Sequence, residues 1–146
     1  MEVPQQVLVL CQIKPLTMKE KIDVQPLLTT KKILEKALKE GTSSELEEMS
    51  GVQAFEMAYE LSWKTLKKVL MSKGVEVYSS KETFRKAAAE GLIREFEVWG
   101  EKYLETRNLT VHTYETDILA EVWKVLPEFL KDLEYLIAKI QAEIKK

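Results

Sequence analysis

The C-terminal stretch 115–146 constrains the fold of this chain more than any other. Apolar side chains recur there at steps of three and four: Ile118, Leu119, Val122, Trp123, Leu126, Leu130, Leu133, Leu136, Ile137, Ile140 and Ile144. That spacing draws a stripe down one side of a long helix, and such a stripe must be buried against neighbours. No glycine interrupts it. Pro127 removes one backbone donor from the ladder, which predicts a kink or local distortion. With five Gly and four Pro in 146 residues, the whole chain favours long helices over many short strands.

The same period runs upstream. A helix is expected over about 31–40, capped by Thr30, with Ile33, Leu34, Ala37 and Leu38 as its stripe and Gly41 as its stop. Ser43 or Ser44 caps a much longer one, to about residue 73, ended by Gly74. Phe55, Tyr59 and Trp63 stack along it at i, i+4 and i+8, which reads as core packing. Residues 75–78 form an extended connector. Ser79 with Glu82 makes a capping box for a third helix to about residue 90, before Gly91. A fourth runs from about residue 95 to Arg107, or as far as His112. Trp99 and Trp123 read as core or interface anchors. The fold class expected is all-α, an up-and-down antiparallel bundle of four to five helices over residues 29–146. Residues 1–28, with Pro4, Pro15 and Pro26, lack the helical period and read as an arm or a start-site extension, Met18 being an alternative start.

Composition narrows the function classes. The apolar run from Val7 to Cys11 is too short to span a bilayer, and no basic start precedes it as in a secretory signal, so no membrane attachment is expected. Cys11 is the single cysteine and His112 the single histidine, which excludes a disulfide framework and cysteine- or histidine-rich zinc sites and suits a reducing cytoplasm. The net charge of −2 argues against a general nucleic-acid binder. The charge is nonetheless uneven: residues 64–94 carry +5, against −3 before them and −4 after. That middle third presents either a basic surface or an ordinary lysine-rich solvated face.

The segment 107–114 gathers Arg107, His112 and Tyr114 within eight residues. A guanidinium grips phosphate oxygens through a fixed fork of donors, and an imidazole is the side chain suited to exchanging a proton near neutral pH. A helix end with a C-terminal cation and a satisfied histidine is the competing reading. On a regular helix, five residues turn about 500°, so His112 stands about 140° from Arg107. A site using both needs non-helical backbone between them or a second copy across a symmetric interface. Glu56, Glu60 and Lys64 form an i, i+4 row. It is either a surface ion-pair row or, turned inward, a carboxylate pair that needs a partner such as Arg107.

These pieces occur in a familiar order. Phe55-Glu56-x-x-Tyr59-Glu60-x-x-Trp63-Lys64-x-Leu66, Gly74-Val75-Glu76-Val77, Ala88-x-x-Gly91-Leu92-Ile93, Glu97-Val98-Trp99 and Arg107-Asn108-Leu109-Thr110-x-His112-Thr113-Tyr114 together resemble the nucleotidyltransferase substrate-binding proteins, a branch of the HEPN superfamily. The likeness covers roughly residues 31–140. It implies a HEPN-like bundle that forms a homodimer and is partnered with a minimal nucleotidyltransferase, with RNA or a nucleotide in the dimer cleft. In related HEPN toxins the arginine–histidine motif is a metal-independent ribonuclease site. That implies catalytic roles for Arg107, His112 and Asn108, the last contributing a hydrogen bond or orienting the motif, and no cofactor. It also implies AMP addition at Tyr114 by the partner, and supporting roles for Glu56, Glu60 and Lys64. A non-catalytic substrate- or nucleotide-binding dimer is the alternative.

Overall fold

The first helix of the computed structural model, α1 (Gln25–Glu40), starts before its apolar stripe does. The structure describes residues 22–41 and 44–146. Pro26 occupies the first turn, where a missing donor is harmless, and Asp23 Oδ1 accepts from Gln25 N at 3.0 Å. Thr30 is therefore not the cap. It lies inside the helix, buried, its hydroxyl donating to the Leu27 carbonyl at 3.0 Å. Residues 25–28 thus belong to the bundle rather than to an arm. The expectations for residues 1–21, the start at Met18 among them, lie outside the described residues.

Ser44 begins α2 (Glu45–Ser72), its hydroxyl accepting from Glu47 N at 3.2 Å, with Glu45, Glu47 and Glu48 at the positive end of the helix dipole. At the other end Gly74 adopts φ +81°, Gly74 N donates to Met71 O and Val75 N reaches back to Leu70 O at 2.9 Å. This left-handed turn satisfies carbonyls that the helix end leaves free, and only glycine enters it without strain. The same arrangement recurs at Gly91, φ +75°, where Leu92 N donates to Ala87 O at 2.9 Å after α3 (Ser80–Ala89). Ser79 caps α3 as expected, accepting from Glu82 N at 3.1 Å. The Glu82 carboxylate accepts from Tyr78 N, one residue upstream of the donor a regular capping box would use.

The expected fourth helix is three pieces. A π-helical stretch, Val98–Tyr103, passes into α4 (Leu104–Leu109) and then into a 3₁₀ turn, Thr110–His112. Within the π stretch, the Phe96 ring lies over Gly100 so closely that a Cβ there would stand 2.3 Å from Cε2. Wide turns of this kind interrupt the regular ladder and often accompany functional sites. The chain closes with α5 (Thr116–Lys145), which runs through exposed Pro127.

The result is an all-α, up-and-down bundle with five α-helices among the described residues. α2 is its centre, packed against α1, α3 and α5. Phe55, Tyr59, Phe84, Trp99, Tyr103 and Phe129 form one connected aromatic cluster, all six buried. Among the described residues, no helix is long and apolar enough to cross a membrane.

Trp123 fills the notch left by Gly51 and donates from its indole to the Glu48 carbonyl at 2.9 Å. An alanine Cβ at Gly51 would lie 2.5 Å from the ring, so the indole would have to swing out and break that bond. Gly51→Ala is expected to lower stability by about 1–3 kcal/mol, the overpacking cost exceeding the gain of about 1 kcal/mol from helix propensity. Denaturant unfolding with Trp fluorescence checks it. An unchanged or raised midpoint would show that the ring relocates freely.

Candidate functional site

Arg107 sits on α4, where that short helix meets α2, and its side chain points back at the α2 surface. One terminal nitrogen donates to Thr110 Oγ1 at 2.9 Å, and the same hydroxyl donates to the Arg107 carbonyl at 2.6 Å. Thr110 therefore closes a small loop that fixes the guanidinium at the helix end. Across from it stand Glu56 and Glu60, one helical turn apart on α2. Glu56 Oε2 is 3.6 Å from the Arg107 terminal nitrogen and Glu60 Oε1 is 3.6 Å from Nε. Nε itself is buried and makes no hydrogen bond. Trp63 holds Glu60 in place, its indole donating to Oε2 at 3.0 Å. The carboxylate row is thus turned toward Arg107, and Lys64 is not part of the arrangement: it is exposed and forms no ion pair among the described residues.

Glu56, Met57, Glu60, Leu61 and Arg107 line an open groove of about 350 Å³. Glu56 also borders a second depression along α2, about 560 Å³, walled by Leu46, Met49, Ser50 and Gln53. Beneath the groove Tyr59 is buried. Burial pushes its phenol up to about 12, a rise partly offset by the Ser80 hydroxyl and the Arg107 charge. The Tyr59 hydroxyl completes no hydrogen bond of ordinary geometry. Farther along, Tyr103 donates to Asp132, and burial followed by this carboxylate raises the Tyr103 phenol far above its usual range.

His112 ends the 3₁₀ turn, is exposed and does not line this groove. Its Nδ1 lies 3.4 Å from the Tyr114 hydroxyl, with the rings edge to face at 6.0 Å. No hydrogen bond joins His112 to Arg107 among the described residues. Asn108, His112 and Tyr114 are all exposed, Tyr114 at 78%. The backbone between Arg107 and His112 does depart from a regular α-helix, passing from α4 into the 3₁₀ turn, and even so the two side chains have different partners, Thr110 for Arg107 and Tyr114 for His112. The described residues gather no group of histidine, cysteine and carboxylate side chains suited to a metal ion.

The basic segment 64–94 does not form one patch over the site. Lys73 pairs with Glu143 at 3.2 Å, Arg85 lies over Phe96 and Arg94 over Tyr135. Lys64, Lys68, Lys81 and Lys86 remain solvated. Reading the residues in order missed Thr110 and Trp63 as the groups that position Arg107 and Glu60. Their spacing, three residues from the side chain each one holds, was the available signal.

Comparison with known proteins agrees with this architecture. The match to a Haemophilus influenzae protein named as a probable ribonuclease HepT is 30% identical over 95 residues, 62% of this chain and 64% of that relative. The chain thus spans under two thirds of that relative's length. A Thermus thermophilus crystal structure superposes with a TM-score of 0.69 at 25% identity, over 82% of this chain and 99% of its own. A Haemophilus influenzae structure described as the fold of a substrate-binding domain of a nucleotidyltransferase superposes at 0.74, with 22% identity and the same coverage, 82% and 99%. The family model described as nucleotidyltransferase substrate binding protein like matches residues 23–142, which takes in every helix from α1 to nearly the end of α5. With the bundle and the ordered motifs both in place over that span, the chain belongs to the nucleotidyltransferase substrate-binding protein family.

Proposed function

We propose that this protein is the partner of a minimal nucleotidyltransferase and acts as a metal-independent ribonuclease when that partner is absent, the toxin half of a pair. The observation that carries the reading is the separation of Arg107, set in a groove, from His112, set on an exposed turn. A second copy docked on this face would bring an arginine of one protomer toward a histidine of the other. Leu46 at 82% exposure and Met57 at 46% line the depressions on either side of Glu56, and apolar side chains so exposed favour a covering partner. In the dimer cleft Arg107 would neutralise the scissile phosphate, with Asn108 orienting the motif. His112 would assist proton transfer as the RNA 2′-oxygen attacks phosphorus and the bond to the 5′-oxygen breaks. The products are a cyclic phosphate and a 5′-hydroxyl.

The test is direct. Purified protein, sedimenting as a dimer at micromolar concentration, is expected to cleave RNA in the presence of a metal chelator and to leave cyclic phosphate ends. Expression without the partner is expected to arrest growth. If it does neither, a non-catalytic dimer that binds substrate or nucleotide for the transferase stands instead.

Tyr114 carries the control. Its exposed phenol lies beside His112, so a nucleotide there would block the cleft. With the cognate transferase and ATP, the phenol oxygen is expected to take one AMP, with pyrophosphate leaving. Intact mass should rise by that group in the wild type and stay unchanged in Tyr114→Phe. Equal labelling of both would assign the modification to another residue.

A further inference from the structure

The charge around Arg107 has the wrong sign for a site whose substrate is a phosphodiester. One guanidinium faces two carboxylates, so the groove carries one net negative charge before any anion enters. Both carboxylates pair with the guanidinium through charge without closing a hydrogen bond to it. Both stand at 3.6 Å from the guanidinium, beyond ordinary hydrogen-bond reach, and the buried Nε is left without an acceptor. A guanidinium satisfied for structural reasons would be expected to close a bidentate pair. Here Trp63 holds Glu60 on its far oxygen and Thr110 holds Arg107, so the two groups are pinned just short of each other. Among the described residues neither carboxylate forms an ion pair with any other cation, and Lys64, one turn further along α2, is solvated.

We propose that Glu56 and Glu60 are built-in competitors for the anion that Arg107 takes, so that removing their charge tightens oligonucleotide binding instead of weakening it. The inference rests on the reading of the groove as an RNA site. It gives the two carboxylates a role opposite in sign to that of supporting residues. They keep the guanidinium aimed at the groove while lowering its affinity for phosphate, and an incoming phosphodiester must displace at least one of them. Anions too weakly held to do so are turned away.

The test uses a fluorescein-labelled polyuridine oligonucleotide with 2′-O-methyl groups, which binds through its phosphates but lacks the nucleophile for cleavage. Fluorescence anisotropy is measured on the full chain and on Glu56→Gln/Glu60→Gln, in which the amide oxygen still accepts from Trp63. The double variant is expected to bind about fivefold tighter, the size of effect that losing two half-exposed ion pairs allows. Removing two remote carboxylates (Glu97→Gln with Glu134→Gln) is expected to change affinity less than about twofold, and the gain is expected to vanish on an Arg107→Ala background. Unchanged or weaker binding by the folded double variant overturns the proposal, as does the same gain without Arg107. Absence of binding by every protein, the double variant included, overturns it as well. Tighter binding by the double variant, with unmodified RNA left uncut by the wild type, would leave the competition standing and remove the ribonuclease reading.

Discussion

His112→Ala is expected to lower RNA cleavage by about a hundredfold to ten-thousandfold, the range for losing a positioned proton-transfer group. The bundle should be untouched. His112 is exposed at the end of the 3₁₀ turn, and its side-chain contact is a long approach to the equally exposed Tyr114 hydroxyl, so stability should stay within about 0.5 kcal/mol of wild type. Thermal melting and sedimentation would establish that the variant is folded and assembled, and gel analysis of a defined RNA would report the rate. The growth arrest caused by the wild type is expected to disappear with the activity. A His112→Ala variant that cleaves at the wild-type rate would remove His112 from the mechanism and, with it, the reading of the segment 107–114 as a ribonuclease site.

Phe129→Ala tests the other end of the structure, the core. Phe129 is fully buried on α5, and its ring meets Phe55 edge-on at 4.7 Å, Tyr103 edge-on at 5.1 Å and Trp99 at 5.4 Å. It therefore joins α2, the π stretch and α5 at one point. Truncation leaves a cavity between three elements that cannot all collapse into it, and a loss of about 3–5 kcal/mol is expected. For a chain of this size that corresponds to a fall in melting temperature of roughly 10 °C or more. Calorimetry would measure it, and the emission of Trp99 should shift red as water reaches the cavity. A loss under about 1 kcal/mol would mean that the aromatic cluster is not the centre of the core.

Much of the fold was legible because the signals that set it are local. Ser44 and Ser79 open helices where a short oxygen-bearing side chain reaches a free amide. Gly74 and Gly91 end them where a positive φ is required. The α5 stripe is buried as its spacing demands, through Leu119, Val122, Leu126, Leu133, Leu136, Ile137 and Ile140. Two local readings failed for physical reasons. Pro26 resembled punctuation, yet the first turn of a helix tolerates proline, so α1 begins at Gln25. The π turn at Val98–Tyr103 leaves no mark on a 3.6-residue period read in short windows, and the Phe96 ring lying over Gly100 within it is a contact that spacing does not announce.

The site divides along the same line. Sequence alone singled out the candidate side chains, because Arg107, Asn108, His112 and Tyr114 stand in one short segment and Glu56 and Glu60 share one helix face. It also determined the helices and their ends, since caps and periodicity act over a few residues. Only the tertiary structure decided that Arg107 is set between Glu56 and Glu60, that Lys64 stands apart, and that His112 and Tyr114 face outward. The reason is rotational. A π turn adds about one residue to the helix before Arg107 and so rotates the remainder of the segment by roughly 100°. The resulting direction is then held by packing between α4 and α2, elements far apart in the chain, a contact that no local spacing encodes.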